Sequence, residues 1–355
     1  MNQCTSSWHA TALLARSMAK RVMRRMPCVR AVNRLRYEVR RGSSRVKELM
    51  LTTRIRRKWQ ADSKQLPLEP EHWELYNIIH RRILGELGEF PELIHCQDFN
   101  DRIQWLKLFD QDQEMIRCSD KILVRDYVKE RIGEQYLPKI YQVCNQFHEI
   151  DFESLPTSFV IKTNHDSGTV ILVRDKNCVD LNAFRSRVDE ALRRPYGRET
   201  GEWAYSFIIP RILIEEFIEP MRPTPPPDYK FYVIEGKVKF IHFIYDRGVE
   251  TKEQTVSSAG EDLDTELYPS FKLGHDFRRP ECWQEMGAIA ERLGDRFKCV
   301  RVDLFESGGR IYVGEMTFWP MYGAYKGEGQ KILGQLLDFD RSSFKPPIYH
   351  QSIGL

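Results

Sequence analysis

The 355-residue chain lacks the features of several common protein classes. No stretch approaches the roughly 20 apolar residues that a membrane-spanning helix needs, and the mean hydropathy is −0.51. Its eight cysteines form no CxxC pair and its nine histidines no HExxH motif, so nothing indicates a zinc site. The GxxxxGK[ST], GxGxxG and GxSxG motifs are also absent. The scattered cysteines fit reduced thiols in a cytoplasmic protein.

Charge is distributed unevenly along the chain. Residues 16–58 contain 16 Lys and Arg residues but only two acids, Glu38 and Glu48. Because the whole chain has 54 basic and 51 acidic residues, the remainder has 38 basic and 49 acidic residues. We therefore predict a basic arm over residues 1–65, followed by an acidic body.

The arm has a periodic apolar pattern. Apolar residues recur every four positions among the arginines, at Leu14, Met18, Val22 and Met26. The spacing predicts a short basic amphipathic helix that ends at Pro27. Three interpretations are open: attachment through residues 16–58 to the anionic inner face of the cell membrane, an organelle transit peptide, or a disordered start. No specific nucleic-acid partner is expected, because the arm has few aromatic residues and the body is acidic.

The body changes its pattern near residue 155. Apolar residues at helical spacing predict a mainly helical part over residues 66–155, with helices at Glu71–Leu87, Asn100–Leu108 and Met115–Ile132. Short β-branched runs then predict strands between residues 156 and 345, interrupted by two helices. The predicted strands are Ser158–Thr163, Thr169–Val173, Ile212–Ile218, Tyr229–Ile234, Lys237–Tyr245, Val300–Phe305 and Arg310–Phe318. This order predicts an α+β fold with mostly antiparallel strands.

The last two predicted strands carry a pair of acids. If their turn centres on Gly309, Asp303 lies opposite Glu315, and Arg301 and Thr317 share the same face. Directly opposed side chains have Cβ atoms about 5 Å apart, so the two carboxylates repel unless a proton or a cation intervenes. Two interpretations are open, a Mg²⁺ site for nucleotide phosphates and a salt network in which Arg301 bridges the acids.

A second candidate segment reads VIKTNHDSG, from Val160 to Gly168. Lys162 lies in an apolar strand, where its charge needs an anionic partner. The polar turn that follows offers backbone N–H groups and small side chains that could hold phosphates. A lysine that reaches the surface and an ordinary turn are the alternative interpretation.

Several motifs occur together in one order. They are FNDRIQWLKLFD at Phe99–Asp110, SDK at Ser119–Lys121, VIKTNH at Val160–His165, LIEEF at Leu213–Phe217, DYKFYV at Asp228–Val233, and VRVDLF followed by GEMTFWP at Val300–Pro320. Over about residues 90–337 the chain resembles the TupA-like branch of the ATP-grasp superfamily. The resemblance implies an ATP-grasp fold, in which two α+β subdomains hold ATP between antiparallel sheets.

The resemblance also implies roles for individual residues. The implied ATP-binding residues are Lys121, Lys162, His165, Ser167, Gly168, Glu215, Glu216, Phe217, Ile218, Asp228 and Lys230. Asp303 and Glu315 would hold Mg²⁺, while Lys162 and Arg301 would neutralise charge during catalysis. The loop reads HDSGT where the family usually has HGSGG, so Asp166 and Thr169 replace two glycines.

Three functions are compatible with these residues. The first is an ATP- and Mg²⁺-dependent ligase of surface polysaccharide assembly, which activates the carboxylate of a glycan or amino-acid substrate as an acyl phosphate and transfers it to an amine. The second is a kinase that phosphorylates a sugar hydroxyl. The third is an inactive scaffold that binds a glycan or a membrane. The expected partners are ATP and an anionic or carboxylate-bearing glycan.

Overall fold

The computed structural model describes residues 27–178, 180–218, 226–345 and 347–348. The chain divides into two compact units, Met1–Lys64 and Gln65–Leu355. The first unit contains one long helix, α1 (Pro27–Asp62). Pro27 therefore begins a described helix, while the predicted apolar stripe from Leu14 to Met26 lies outside the described residues. Among the described helices, none has a long enough apolar stretch to cross a membrane.

The second unit begins with helices, as predicted. They are α2 (Trp73–Leu87), α3 (Phe99–Phe109), α4 (Gln113–Ser119) and α5 (Val124–Ile132). The prediction of a single helix over Met115–Ile132 is wrong. The chain leaves the helical conformation at Asp120, whose carboxylate accepts hydrogen bonds from the N–H groups of Ile122 (2.7 Å) and Leu123 (3.3 Å). A carboxylate that satisfies the free N–H groups at a helix start favours a new helix there.

Four antiparallel strands form a small sheet in the order β1-β4-β2-β3. Their bounds are β1 (Ile140–Cys144), β2 (Phe159–Thr163), β3 (Val170–Val173) and β4 (Ile212–Glu216). One face packs into a hydrophobic core that includes Phe159, Ile161, Ile171, Val173, Ile212 and Ile214. Because side chains alternate along a strand, Val160, Lys162 and Leu172 point to the other face. β1 was not predicted from the sequence.

Six strands form the large sheet in the order β10-β9-β5-β6-β7-β8. Their bounds are β5 (Asp228–Ile234), β6 (Lys237–Tyr245), β7 (Lys252–Ser257), β8 (Lys272–Leu273), β9 (Cys299–Ser307) and β10 (Arg310–Thr317). All neighbours are antiparallel except β7 and β8. Three further helices are α6 (Leu181–Arg193), α7 (Trp283–Gly294) and α8 (Gly329–Leu336), of which α7 packs against β5, β6 and β9. The sequence predicted neither β7 nor β8.

The β9-β10 hairpin confirms the predicted pairing of Asp303 with Glu315. Its turn differs from the prediction, because Ser307 pairs with Arg310 and the turn holds only Gly308 and Gly309, with φ of 63° and 75°. Left-handed φ values at both positions favour glycine. The register then shifts by one residue between Val313 and Glu315, at a β-bulge formed by Gly314. The two-residue turn and the bulge together place Glu315 opposite Asp303.

The two faces of the small sheet should respond differently to truncation. Ile161 is fully buried, so Ile161→Ala should lower the free energy of unfolding by about 2–5 kcal/mol. Leu172 is 53% exposed, so Leu172→Ala should change it by less than about 0.5 kcal/mol. Urea denaturation of both variants measures the difference. Equal destabilisation would contradict the assignment of the two faces.

Candidate active site

A cavity of about 520 Å³ is lined by residues of both sheets, and we call it the inter-sheet cavity. Its apolar lining includes Val124, Leu137, Val160, Val170, Leu172, Leu213, Phe305 and Val313. Charged side chains lie at the same cavity, including Lys121, Lys162, Glu215, Asp228 and Arg247. Apolar walls beside cationic groups suit a ligand that has a planar apolar end and an anionic end.

Lys162 is held in place by a buried carboxylate. Its Nζ contacts Oε1 of Glu215, which lies beside it on β4. Arg125 of α5 approaches the other oxygen of Glu215 at 3.4 Å, and Arg125 also donates to the Pro138 carbonyl. Burial lowers the pKa of Arg125, and Glu215 partly opposes that shift. Two cations on one carboxylate leave a net positive charge at the cavity wall.

Lys121 reaches the same cavity because hydrogen bonds join the SDK motif (Ser119–Lys121) to Asn164 of the VIKTNH motif. The Lys121 N–H donates to the Asn164 carbonyl at 3.1 Å, and Asn164 Nδ2 donates to Oδ2 of Asp120 at 3.0 Å. The Lys121 ammonium then donates to the Asp166 carbonyl in the β2-β3 loop. Burial lowers the pKa of Lys121, while Glu315 and Asp166 act in the opposite direction.

The β2-β3 loop is closed by the two residues that depart from the family pattern. Both carboxylate oxygens of Asp166 accept hydrogen bonds, one from the hydroxyl of Thr163 and one from that of Thr169. Asp166 is thus engaged within its own loop. Gly168 has a φ of 104°, and its carbonyl accepts from Arg187 of α6 at 3.1 Å.

The His165 side chain lines neither the inter-sheet cavity nor the second cavity described below. Its Nε2 is 3.2 Å from the Ala191 carbonyl of α6, and burial lowers the pKa of its ring. The imidazole therefore supports the packing of α6, and the contact of His165 with ATP stays a prediction.

The segment after β4 forms one edge of the inter-sheet cavity. Glu216, Phe217 and Ile218 all line it, and the Arg174 guanidinium lies 5.2 Å from the centre of the Phe217 ring. Phe217 and Ile218 lie past the end of β4. Their backbone groups are therefore candidates for the edge of an adenine, as the resemblance implied.

Asp228 is held by a residue that the sequence analysis missed. Arg247, from the connection between β6 and β7, donates to Oδ2 of Asp228 at 2.6 Å. Arg247 also lines a second cavity, described below, and so connects the two cavities. Its position could not be read from local sequence, because it depends on how that connection folds over β5.

Four charged side chains meet where β5, β9 and β10 lie side by side. Arg301 donates to both oxygens of Asp303 at 2.6 and 2.7 Å, and to Oε1 of Glu315 at 2.9 Å. Lys230 lies 2.5 Å from Oδ2 of Asp303. Burial alone would lower the pKa of Arg301, but Asp303, Tyr232 and Glu315 raise it well above its ordinary value. Arg301 therefore bridges the two acids, as the salt-network interpretation predicted. The same two acids stay candidates for the Mg²⁺ site.

The same cluster presents oxygen donors of the kind that Mg²⁺ binds. Glu315 and Asp303 are hard oxygen donors, and the Thr317 hydroxyl lies 3.2 Å from Oε1 of Glu315. Within the described residues, no group of three or more His, Cys, Asp or Glu side chains could hold a metal ion alone. Two carboxylates and a hydroxyl suit an ion that takes its other ligands from phosphates and water. The donor set fits Mg²⁺ delivered with a nucleotide.

A second cavity, of about 310 Å³, shares Arg247 with the first, and we call it the adjoining cavity. Its charged lining consists of Asp166, Glu202, Lys230, Arg247, Arg301 and Glu315. Its aromatic lining consists of Tyr196, Tyr205, Tyr268, Phe271, Trp319 and Tyr322. The charge cluster therefore faces a space large enough for a second ligand.

The structure brings together most of the predicted site residues. The inter-sheet cavity is lined by the predicted residues Lys121, Lys162, Glu215, Glu216, Phe217, Ile218 and Asp228. The adjoining cavity is lined by the predicted residues Ser167, Lys230, Arg301 and Glu315. Asp303 lies beneath Lys230 and Arg301 and is 7% exposed. Their assignments to ATP and Mg²⁺ stay predictions. Arg125, Arg247 and Glu202 were missed, because their places at the cavities depend on contacts with residues distant in sequence.

Comparison with known proteins identifies the family. The sequence model of the TupA-like ATPgrasp family matches residues 101–338, about two thirds of the chain. The chain belongs to this family. Its two mainly antiparallel sheets, with a cavity lined by both, are the ATP-grasp fold that the resemblance implied. No curated protein gives a significant match.

Solved structures with a similar fold include a D-alanine–D-alanine ligase from Bacillus anthracis complexed with ATP. Its TM-score is 0.39 at 18% identity, over 74% of this chain and 73% of that chain. A RimK domain ATP-grasp protein from Sphaerobacter thermophilus has a TM-score of 0.36 at 14% identity, over 77% and 95%. The ATP-grasp ligase PsnB with its minimal precursor has a TM-score of 0.35 at 12% identity, over 64% and 62%.

Replacing Lys162 should weaken nucleotide binding without unfolding the chain. Lys162→Met keeps the apolar stem but removes the ammonium, and Glu215 keeps Arg125 as its partner. We expect the affinity for a non-hydrolysable ATP analogue to fall about 10- to 100-fold, the loss of one charge-assisted hydrogen bond. Isothermal titration calorimetry measures this change, with exposed Lys239→Met on β6 as the matched control. Unchanged affinity would indicate that Lys162 only pairs with Glu215.

Proposed function

We propose that this protein is an ATP- and Mg²⁺-dependent ligase that joins a carboxylate substrate to an amine through an acyl phosphate. One observation carries the proposal: the cluster of Arg301, Asp303, Glu315 and Lys230 lies at the adjoining cavity, which shares Arg247 with the inter-sheet cavity. A nucleotide in the inter-sheet cavity would direct its phosphates to this cluster. Membership of the ATP-grasp family supports the same reaction class.

ATP would lie with its adenine between the apolar walls and its phosphates toward the cations. Val170 and Leu172 of the small sheet and Phe305 and Val313 of the large sheet provide the two walls. Lys121 and Lys162 lie at the phosphate end in this arrangement. Asp228 would accept the ribose hydroxyls, after giving up some of its contact with Arg247.

The chemistry then requires positioning and charge neutralisation, and no protein nucleophile. A carboxylate oxygen of the substrate attacks the γ-phosphorus, the bond to the bridging oxygen breaks, and ADP leaves. Arg301, Lys121 and Lys162 stabilise the negative charge that spreads over the phosphoryl oxygens. Mg²⁺ held by Asp303 and Glu315 would add positive charge at those oxygens. The amine nitrogen next attacks the acyl carbon, and phosphate leaves.

The adjoining cavity supports a glycan as the carboxylate substrate. Several of its aromatic side chains are half-buried, and they include Tyr196, Tyr205, Tyr268, Phe271 and Tyr322. Such rings offer rigid apolar faces to the C–H groups of a sugar, while charged residues bind its polar groups. Arg301 and Arg247 are suited to a sugar carboxylate, since guanidinium groups pair with carboxylates through two hydrogen bonds.

Trapping of the acyl phosphate tests the proposal. With Mg-ATP and hydroxylamine, the wild-type protein should convert a carboxylate from a panel of glucuronate, galacturonate and amino acids into a hydroxamate, detected by mass spectrometry. Glu315→Gln should lower this rate at least about tenfold, since even the outer-shell partners of a bound metal contribute that much. Exposed Glu281→Gln is the control. Phosphorylated sugar without any hydroxamate would indicate the kinase instead.

We also propose that the first unit attaches the protein to the anionic inner face of the cell membrane. Along α1, Val46, Leu49 and Met50 are 58, 68 and 62% exposed, and their spacing places them on one helix face. Arg45 and Lys47 are exposed beside them. Exposed apolar groups among basic ones fit a surface of anionic lipid headgroups over hydrocarbon.

Vesicle binding tests this attachment. The full chain should sediment with phosphatidylglycerol vesicles at low salt and dissociate as salt rises, because electrostatic attraction of about 1 kcal/mol per basic residue is screened. Deleting residues 16–58 should abolish sedimentation and leave ATP binding intact. Phosphatidylcholine vesicles are the control. Sedimentation of the truncated chain with anionic vesicles would show that the arm is not the anchor.

A further inference from the structure

Glu202 is a buried carboxylate at the adjoining cavity to which the reaction described above assigns no role. It lies in the segment between α6 and β4, where its N–H donates to the Gly197 carbonyl at 2.9 Å. Its own carbonyl accepts from the Tyr205 N–H at 3.2 Å. The rings of Tyr196 and Tyr205 meet edge to face at 4.9 Å. This compact segment fixes one carboxylate and two tyrosines at the same cavity.

Within the part of the chain that the structure describes, no cationic side chain pairs directly with Glu202. Glu202 is 6% exposed, and its Oε2 accepts the Thr200 hydroxyl at 2.6 Å. Among the residues that the structure describes, no basic side chain forms an ion pair with it. Lys107 of α3 acts on Glu202 from the far side of Thr200, because its Nζ donates to the Thr200 carbonyl at 2.8 Å.

Lys107 itself is fully occupied by other acceptors. Besides the Thr200 carbonyl, its ammonium donates to Oε1 of Gln104 at 3.0 Å and to the Tyr322 carbonyl at 2.8 Å. Three donors thus meet three neutral acceptors. Lys107 favours the ionised form of Glu202 at a distance, and burial of the pair raises the pKa of the carboxyl.

A buried carboxylate without a bound cation is costly, so its retention at a cavity indicates a cationic ligand. We propose that Glu202 binds the ammonium group of the amine substrate and accepts one of its protons. The faces of Tyr196 and Tyr205 would add attraction for the same cation. This inference rests on the proposed ligase function and specifies its second substrate as a primary amine that arrives protonated.

Amide formation supplies a reason for such a group. An ammonium ion has no lone pair, so it must lose a proton before its nitrogen can attack the acyl phosphate. Glu202 takes that proton, the C–N bond forms, and the C–O bond to phosphate breaks. The leaving phosphate takes the second proton from nitrogen, and Glu202 later returns the first to solvent. Positioned proton transfer of this kind contributes about 10²- to 10⁴-fold.

Comparing hydroxylamine with amino acids as the attacking nucleophile distinguishes a proton-accepting role of Glu202 from a structural role. Hydroxylamine is uncharged at neutral pH and needs no base, whereas amino acids arrive as ammonium ions. With the carboxylate panel used above and the 20 common amino acids as amines, Glu202→Gln should lose amide formation at least about 10²-fold. Hydroxamate formation should stay within about twofold of wild type. Glu199→Gln, an exposed neighbour, is the matched control and should change neither rate.

Each outcome decides between the proposals. No hydroxamate from the wild type overturns the ligase and this inference together. Wild-type hydroxamate without amide from any amino acid, or amide formation by Glu202→Gln at the wild-type rate, overturns this inference alone. If thermal denaturation shows that Glu202→Gln does not fold, Glu202→Asp replaces it. That variant keeps the charge but withdraws it by one methylene, so undiminished amide formation would again overturn the role.

Discussion

The repulsion between Asp303 and Glu315 is the constraint around which the site is arranged. Two carboxylates face each other across β9 and β10, and together they would repel strongly in a half-buried setting. Arg301 and Lys230 prevent this by contributing two positive charges, so the four groups are neutral as a set. Any incoming metal must compete with these two cations. Anionic phosphates ease that competition, since they offer Arg301 and Lys230 alternative partners.

The small sheet connects this chemistry to the stability of the fold. Its strands alternate between residues that fill a hydrophobic core and residues that line the inter-sheet cavity. Lys162 and Glu215 belong to the second set, while Ile161 and Ile214, their neighbours in sequence, belong to the first. The packing that stabilises the sheet therefore also fixes the direction of the Lys162 side chain. A strand slipped by one residue would exchange the two sets.

Local sequence predicted what depends on local pattern. Short β-branched runs predicted seven of the ten described strands, the order of motifs led to the family, and the assumed hairpin register predicted the Asp303–Glu315 pair. The break at Asp120 was missed because apolar spacing continues across it, although its side chain binds the turn that leads into the next helix. Arg125, Arg247 and Glu202 could not be predicted, since their positions depend on contacts between distant segments. The contact of the His165 ring with α6 depends on the fold in the same way, because its Nε2 meets the Ala191 carbonyl.

The β2-β3 loop shows what the two replaced glycines change. Glycines leave a loop many conformations, whereas here the Asp166 carboxylate ties the hydroxyls of Thr163 and Thr169 together before any ligand arrives. A loop ordered in this way has little conformational entropy left to lose on binding. Its closure is therefore a property of the folded chain and needs no ligand. A ligand that binds at this edge, such as the proposed nucleotide, would then lose little affinity to the ordering of this loop.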